Sequence, residues 1–460
     1  MADDNIENLD IDYENFEYQD SATPWTALTG VKSIRVEPAK APIIADIAVS
    51  GSKSVSNRAL ILAGMASGTT RLGGLLRSDD TWWCADVLRR LGCAVEFDGT
   101  NATIKGVGDV GPKPSSLHVG SAGTISRFLP PVLAAGHAGK WKITASKQMS
   151  SRPVGALFDA LRSGGGKVEC LEGENTYPAI VHGNSFMGGA ITMSGAVSSQ
   201  FISGILMGGA MAENGLDLTV EGGIVQSEYV QITLDVMAHF GAKIKNQNDF
   251  TRFFVEPASY RAKDLMVEAD ASTATYFAAL AAVTRGNIKL TNIGKNTRQP
   301  DYGFLEILER MGCVVERSET ASAIKMDGQL RGGFSVDMRP LSDATLTLAA
   351  IAPFADGPIH MHGVAHIRHH ECDRISAMCA SLTKLGIKVE EHEDGMTVHP
   401  GVPQFGVMDT FEDHRMAMAL AVLGVAGNGI ELLDPGCVSK TCPSFFEQLE
   451  QIGIGNEKSS

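Results

Sequence analysis

Val87-Leu-Arg-Arg-Leu-Gly92, followed within one residue by Ala94-Val-Glu-Phe97, decides how this chain is organised. An amphipathic helix ends in an apolar residue and a glycine, and a short strand begins at once. Glycine suits that junction because a helix commonly ends in the left-handed region, where a side chain is costly. The signature returns at Leu161-Arg-Ser-Gly-Gly-Gly166, His239-Phe-Gly241, Met311-Gly312, Leu385-Gly386 and Ile452-Gly453. From Gly92 through Gly165, Gly241, Gly312 and Gly386 to Gly453 the steps are 73, 76, 71, 74 and 67 residues. A period this steady predicts a fold built from six copies of one unit.

A second rhythm runs between these glycines. Polar clusters open helices of small or apolar residues at Gly51-Ser-Lys-Ser54, Gly120-Ser-Ala-Gly-Thr124, Val197-Ser-Ser-Gln200, Asp270-Ala-Ser-Thr273, Leu341-Ser-Asp343 and Asp413-His-Arg415. Measured from Lys53, Gly123, Ser198, Asp270, Asp343 and Asp413, the steps are 70, 75, 72, 73 and 70. Ser, Thr and Asp at these places are expected to cap the helices. Capping does not explain Lys53, Gln200 or His414-Arg415 at the same phase. Helix N-termini also attract anions, so six polar starts in phase point to a shared anionic ligand.

Bulk properties narrow the class. At 460 residues, 44% hydrophobic and 20% charged, the chain is expected to be a soluble protein of more than one domain. The net charge of -14 argues against nucleic acid as a partner. Residues 1–31 hold eight acids and no Lys or Arg, and they read as a solvating disordered tail. No apolar run suits a membrane span, and the N-terminus carries neither a secretory nor a basic transit pattern. The eight cysteines form no Cys-x-x-Cys pair, so reduced thiols are expected. The histidines His360, His362, His366, His369 and His370, with Glu371 and Cys372 after them, are of zinc-ligand type but have no recognised metal spacing.

The clusters also resemble a known family. Ser50-Gly-Ser-Lys-Ser-Val-Ser-Asn-Arg-Ala-Leu60, then Ser78-Asp-Asp80, Gly120-Ser-Ala-Gly-Thr-Ile-Ser-Arg127, Ser151-Arg-Pro153, Ser198-Ser-Gln200, Asp413-His-Arg-Met-Ala-Met418 and Asp434-Pro-Gly-Cys-Val-Ser-Lys-Thr441 are similar, in order and spacing, to the motifs of the 5-enolpyruvylshikimate-3-phosphate synthases. The resemblance runs from about Ser33 to Ile454. Departures are Ser121 for an Asn, His366 for an Asn, His370 for a Lys, and a loop at Gln226-Ser-Glu-Tyr229 that is one residue short at Ser227.

The resemblance implies an α/β fold, a two-domain inside-out α/β barrel of six repeated units with helices inside and sheets outside. The acidic tail, taken over 1–32, lies outside the resemblance, which implies a discontinuous domain of 33–51 with 269–460 and an inserted domain of 52–268, each with three repeats. It implies transfer of the enolpyruvyl group of phosphoenolpyruvate to the 5-hydroxyl of shikimate 3-phosphate, with no cofactor and no metal, by a cytoplasmic monomer that is a glyphosate target. By the same resemblance Lys53, Ser54, Arg58, Ser198, Ser199, Gln200 and Ser227 serve the acceptor, with Lys53 and Gln200 also reaching phosphoenolpyruvate and Lys53 a catalytic residue that assists departure of phosphate. Gly123, Arg152, Arg374, Arg415 and Lys440 serve phosphoenolpyruvate, and Arg127 supports the pocket. Asp343 and Glu371 are the acid/base pair, and His370 lines the acceptor side. Helix capping alone would also account for Asp343. Alternatives are a transferase for UDP-N-acetylglucosamine, disfavoured because Lys147-Gln-Met-Ser-Ser-Arg152 lacks a Cys, a transferase for another hydroxyl acceptor, a non-catalytic phospho-ligand-binding homologue, and a zinc enzyme. A nucleotide P-loop fails because Ser52 interrupts Gly-Lys-Ser.

Overall fold

A computed structural model describes residues 22–247 and 249–459. All six glycines of the first rhythm have positive φ, between 84° and 103°. Around each of them the same two backbone bonds close the helix. Gly92 N–H donates to Arg89 O at 2.9 Å and Cys93 N–H reaches Leu88 O at 3.0 Å, and the pair recurs at Gly165, Gly241, Gly312, Gly386 and Gly453. This is the Schellman closure, which satisfies carbonyls that a helix end would otherwise leave free.

Each closure feeds a strand, and the described residues form six sheets of four strands. All six have one plan. Ser116–His118 runs parallel to Lys140–Thr144, which pairs antiparallel with Ala179–His182, which pairs antiparallel with Lys167–Cys170. The helix Gly123–Ala134 links the parallel pair. Two sheets take their parallel edge strand from elsewhere in the chain. Ile44–Ile47 lies beside Asn287–Leu290, and Leu265–Met266 beside Thr69–Gly73. A third closes on the start of the chain, with Ser33–Val36 between Ile430–Leu433 and Asn456–Ser459.

Two compact units result. Among described residues one holds 22–24 and Lys53–Val267, the other Trp25–Ser52 and Glu268–459, so the main passages lie at 52–53 and 267–268. Within each unit the helices of the second rhythm are inside. Gly123–Ala134 and His414–Ala426 are buried on all sides or nearly so, and such helices belong to a core. The strands instead alternate, as Asn101–Lys105 does, with one face covered and one open. In the first unit the helices Gly123–Ala134 and Ser199–Met211 approach closely because a Cβ on Gly204 would run into Arg127 O and one on Gly208 into Pro131 O. That approach sets Arg127 and Gly123 beside the start of the second helix.

Two expectations are amended. Ser198, Asp270 and Asp413 do cap their helices. The helix Gly123–Ala134 and the turn Ser342–Ala344 have no side-chain cap, so Asp343 is not a capping residue. The tail expected over 1–32 includes residues 22–32, which form turns. Ala27 N–H donates to Ser439 Oγ at 2.8 Å and Leu28 packs on the apolar core of the second unit. Residues 1–21 of that expected tail lie outside the described residues. All eight cysteines are free thiols, five of them buried. No helix among the described residues is long and apolar enough to cross a membrane.

Candidate active site

The first unit brings together two groups of expected residues. Lys53 opens the helix Lys53–Met65 and lies 3.8 Å from Asp80 Oδ2, itself in a helix started by the Ser78–Thr81 capping box. Ser54 follows, and its carbonyl accepts from Arg58 at 2.9 Å. Arg58 is 1% exposed. Three further N–H groups donate to Thr233 Oγ1 (2.7 Å), Ser203 Oγ (3.3 Å) and Tyr229 O (3.1 Å), and its guanidinium lies over the Phe128 ring. Burial pushes its pKa down to about 10, still well above neutrality. Arg58 thus ties three helices together, with four of its five N–H groups engaged in these bonds.

The second group centres on Gly123. A Cβ placed there would lie 3.0 Å from Arg127 Nη1, 3.4 Å from Arg152 Nη1 and 3.6 Å from Gln200 Oε1. Two guanidinium groups and an amide therefore converge on one helix start, where backbone N–H groups already favour an anion. Arg127 is buried and donates to Gly123 O (3.0 Å) and Ser126 Oγ (3.1 Å). Ser198 Oγ accepts from Gln200 N–H at 3.2 Å, and Ser199 is buried beside it. Ser121, the departure from Asn, shares a 2.7 Å hydrogen bond with Ser146. Ser227 opens the helix Ser227–His239, two residues before the Tyr229 carbonyl that Arg58 uses.

The second unit gathers the rest in one charged network. Arg374 donates from Nε and Nη2 to Asp413 (2.7 and 3.2 Å), from Nη1 to Asp343 Oδ1 (3.1 Å) and from Nη2 to Glu371 Oε2 (2.8 Å). Arg374 Nη1 also reaches His370 Nδ1 at 3.0 Å, a bond that needs that ring nitrogen unprotonated. Arg415 Nη2 holds Asp343 Oδ2 at 2.8 Å, and Lys440 Nζ holds Glu371 Oε1 at 2.9 Å. Burial alone would make the Arg374 guanidinium more acidic, but Asp413, Glu371 and Asp343 outweigh it and raise its affinity for the proton. His366 Nε2 meets Ser342 Oγ at 2.9 Å, and burial depresses its proton affinity.

Both carboxylates expected to do acid/base work therefore sit between cations expected to hold an anion. Three acids (Asp343, Glu371, Asp413) face three cations (Arg374, Arg415, Lys440), a balance that makes the buried cluster tolerable. A polyanion entering it competes with Asp343 and Glu371 for the same N–H groups. Three contributors had no expected part in the site's chemistry. Asp413 was visible as a cap, but its hold on Arg374 spans 39 residues and left no local signal. Asp80 lay in a quoted motif. Asp301, buried and acting electrostatically on Asp343 and Arg415, had no signal at all. Of the five clustered histidines, His366 and His370 join this network, and His414 Nδ1 lies 3.7 Å from Asp413 Oδ1. His360 and His362 lie with His392 on the outer face of a sheet, and among the described residues no three His, Cys, Asp or Glu side chains are placed to hold a metal.

With this geometry in place, comparison with known proteins becomes specific. Residues 38–449 match the family model described as EPSP synthase (3-phosphoshikimate 1-carboxyvinyltransferase). The chain belongs to the EPSP synthase family. It is accordingly a transferase of the shikimate pathway. The 3-phosphoshikimate 1-carboxyvinyltransferase 2 of Halalkalibacterium halodurans is 46% identical over 438 residues, covering 95% of this chain and 98% of the relative. The 3-phosphoshikimate 1-carboxyvinyltransferase of Erwinia tasmaniensis is 40% identical over 409 residues, covering 87% and 94%. A solved EPSP synthase from Acinetobacter baumannii superposes with a TM-score of 0.80 at 25% identity, covering 93% of this chain and all of that one. The inside-out α/β architecture is that of the EPSP synthases.

Proposed function

We propose that the protein moves the carboxyvinyl group of phosphoenolpyruvate onto the 5-hydroxyl of shikimate 3-phosphate and releases phosphate. The observation that carries this reading is the network in which Asp343 and Glu371 are each held by two cations. Lys53, Ser54, Arg58, Ser198, Ser199, Gln200, Ser227 and His370 serve the acceptor. Gly123, Arg152, Arg374, Arg415 and Lys440, with Arg127 behind them, serve phosphoenolpyruvate. Forked guanidinium groups match its phosphate and carboxylate, and lysine adds a point charge.

The acceptor oxygen forms a bond to C2 and loses its proton, while C3 gains one and becomes a methyl group. The tetrahedral intermediate then loses phosphate from C2 and a proton from C3, which restores the double bond. One group must serve the hydroxyl and another must act first as acid and then as base at C3. Asp343 takes the first role and Glu371 the second, with Lys53 assisting departure of phosphate. A carboxylate held by two guanidinium groups is a weak base. An arriving dianion that engages Arg374 and Arg415 loosens their hold on Asp343, so the base strengthens as the substrate binds. No metal or cofactor is needed for any step, and the same reading makes the protein a cytoplasmic monomer inhibited by glyphosate.

The deciding experiment is phosphate release from phosphoenolpyruvate with shikimate 3-phosphate compared with other hydroxyl acceptors. Turnover with shikimate 3-phosphate alone supports the reading, and preference for another acceptor overturns it. Asp343→Ala and Glu371→Gln should each lower kcat by about 10²–10⁴-fold, and Glu371→Gln should also suppress solvent deuterium exchange at C3. Wild-type exchange in that variant would remove Glu371 from its role.

A further inference from the structure

Behind Asp343 stands a second carboxylate that none of these steps uses. Asp301 lies in the short turn Pro300–Gly303 and is 1% exposed. Ser272, in the first turn of the helix Ala271–Val283, donates its hydroxyl hydrogen to Asp301 Oδ2. The turn Pro300–Gly303 packs on that helix and on the turn Ser342–Ala344, which carries Asp343. The charged groups acting on Asp301 are Asp343 from that turn, Arg415 from the helix His414–Ala426, and Asp270 at the cap of Ala271–Val283. The helix Phe304–Arg310 on its other side turns Glu306, Glu309 and Arg310 to solvent.

Burial and the nearby Asp343, with Asp270, push the Asp301 carboxyl up to about 7, against the pull of Arg415 and the Ser272 hydrogen bond. The sign of the consequence for folding is unfavourable. In the folded state Asp301 keeps a proton that the unfolded chain gives up near 3.8, so its contribution is present below that pH and is lost as pH rises through about 7. An uncharged side chain would burden the fold less. A buried acid beside a reactive one is commonly found where proton affinity is being set.

We propose that Asp301 is a positioning residue for the transfer reaction, one that divides Arg415 with Asp343 and thereby sets the strength of Asp343 as a base. Ionised Asp301 draws on Arg415 and repels the charge of Asp343, so Asp343 binds a proton more tightly. Protonated Asp301 leaves Arg415 to Asp343, which becomes a weaker base. Asp301 exchanges no proton with substrate. The inference rests on the assignment of Asp343 to the acceptor hydroxyl.

Two variants test it. Asp301→Asn keeps an oxygen for Ser272 and removes the titration. Ser272→Ala keeps the carboxylate and removes a hydrogen bond that favours its charged form, so Asp301 stays protonated to higher pH. The pH profile of kcat/KM should lose its inflection near 7 in Asp301→Asn, and in Ser272→Ala that inflection should move to higher pH. The kcat at neutral pH should fall about threefold or more, as a weaker base gives a slower proton transfer, with KM for phosphoenolpyruvate little changed. The melting temperature of Asp301→Asn at neutral pH should hold or rise. Profiles identical to wild type in folded Ser272→Ala, and in Asp301→Asn where it folds, would make Asp301 merely structural and overturn the inference. An active Asp343→Asn would instead overturn the assignment of Asp343. An inactive Asp343→Asn beside unmoved profiles would overturn only the role of Asp301.

Discussion

Gly123 shows how one missing methyl group shapes recognition. A Cβ there would press on Arg127 Nη1 at 3.0 Å and stand 3.4 Å from Arg152 Nη1. Gly123→Ala should therefore weaken the larger inhibitor, glyphosate, more than phosphoenolpyruvate. Inhibition constants and KM measured side by side check this, and equal loss for both would show that Gly123 does not discriminate. Asp413 makes a second case. It is fully buried, caps its helix through Arg415 N–H at 2.8 Å, and pairs with Arg374. Asp413→Asn keeps a capping oxygen but removes the charge. Breaking a buried pair costs about 3–5 kcal/mol, and because Arg374 retains Asp343 and Glu371 the loss should fall near the lower figure. Urea unfolding measures it, and an unchanged midpoint would refute the pairing argument. Legibility at this scale was uneven. Lys53, Gly123, Ser198 and Arg415 stood out because their phase was regular. The pairing of Asp413 with Arg374, and Asp301 altogether, did not, because the partners lie far along the chain and a lone buried acid has no sequence pattern.

Helix ends were the most readable elements. A left-handed residue is a local demand, so the six glycines announce their closures from sequence alone. The sheets were less readable, since their strands are mostly three to six residues long and their order depends on partners in other segments. A sheet face supplies the prediction at this scale. His360 and His392 both hydrogen-bond Thr397 Oγ1, at 2.9 and 2.8 Å, and His362 stacks on His360. Burial, then the neighbouring His392 and His362, depress the proton affinity of His360 against the pull of Asp394. The unfolded chain therefore binds that proton first. Stability from this face is present above about 6.5 and is lost as pH falls below it. Melting temperatures should decline on acidification through that range, and His360→Gln should flatten the decline. A wild-type slope in the variant would exclude this face as its source.

At the scale of the whole molecule, the start of the chain divides into two parts. Residues 1–21 are acidic and free of Lys and Arg, and a protein beginning at Ala22 should keep its turnover and melting temperature. One beginning at Val31 loses the Ala27–Ser439 bond and the packing of Leu28. It should be less stable by about 1–2 kcal/mol, read from denaturant midpoints. Equal midpoints for the two truncated proteins would refute this difference. The strand just beyond, Ser33–Val36, has both of its neighbours in the final stretch of the chain, at Ile430–Leu433 and Asn456–Ser459. Synthesis proceeds at about 5–20 residues per second, so this strand leaves the ribosome roughly 20–80 seconds before its last partner exists. Its sheet is the last to be completed, and the protein cannot finish folding vectorially from its beginning to its end.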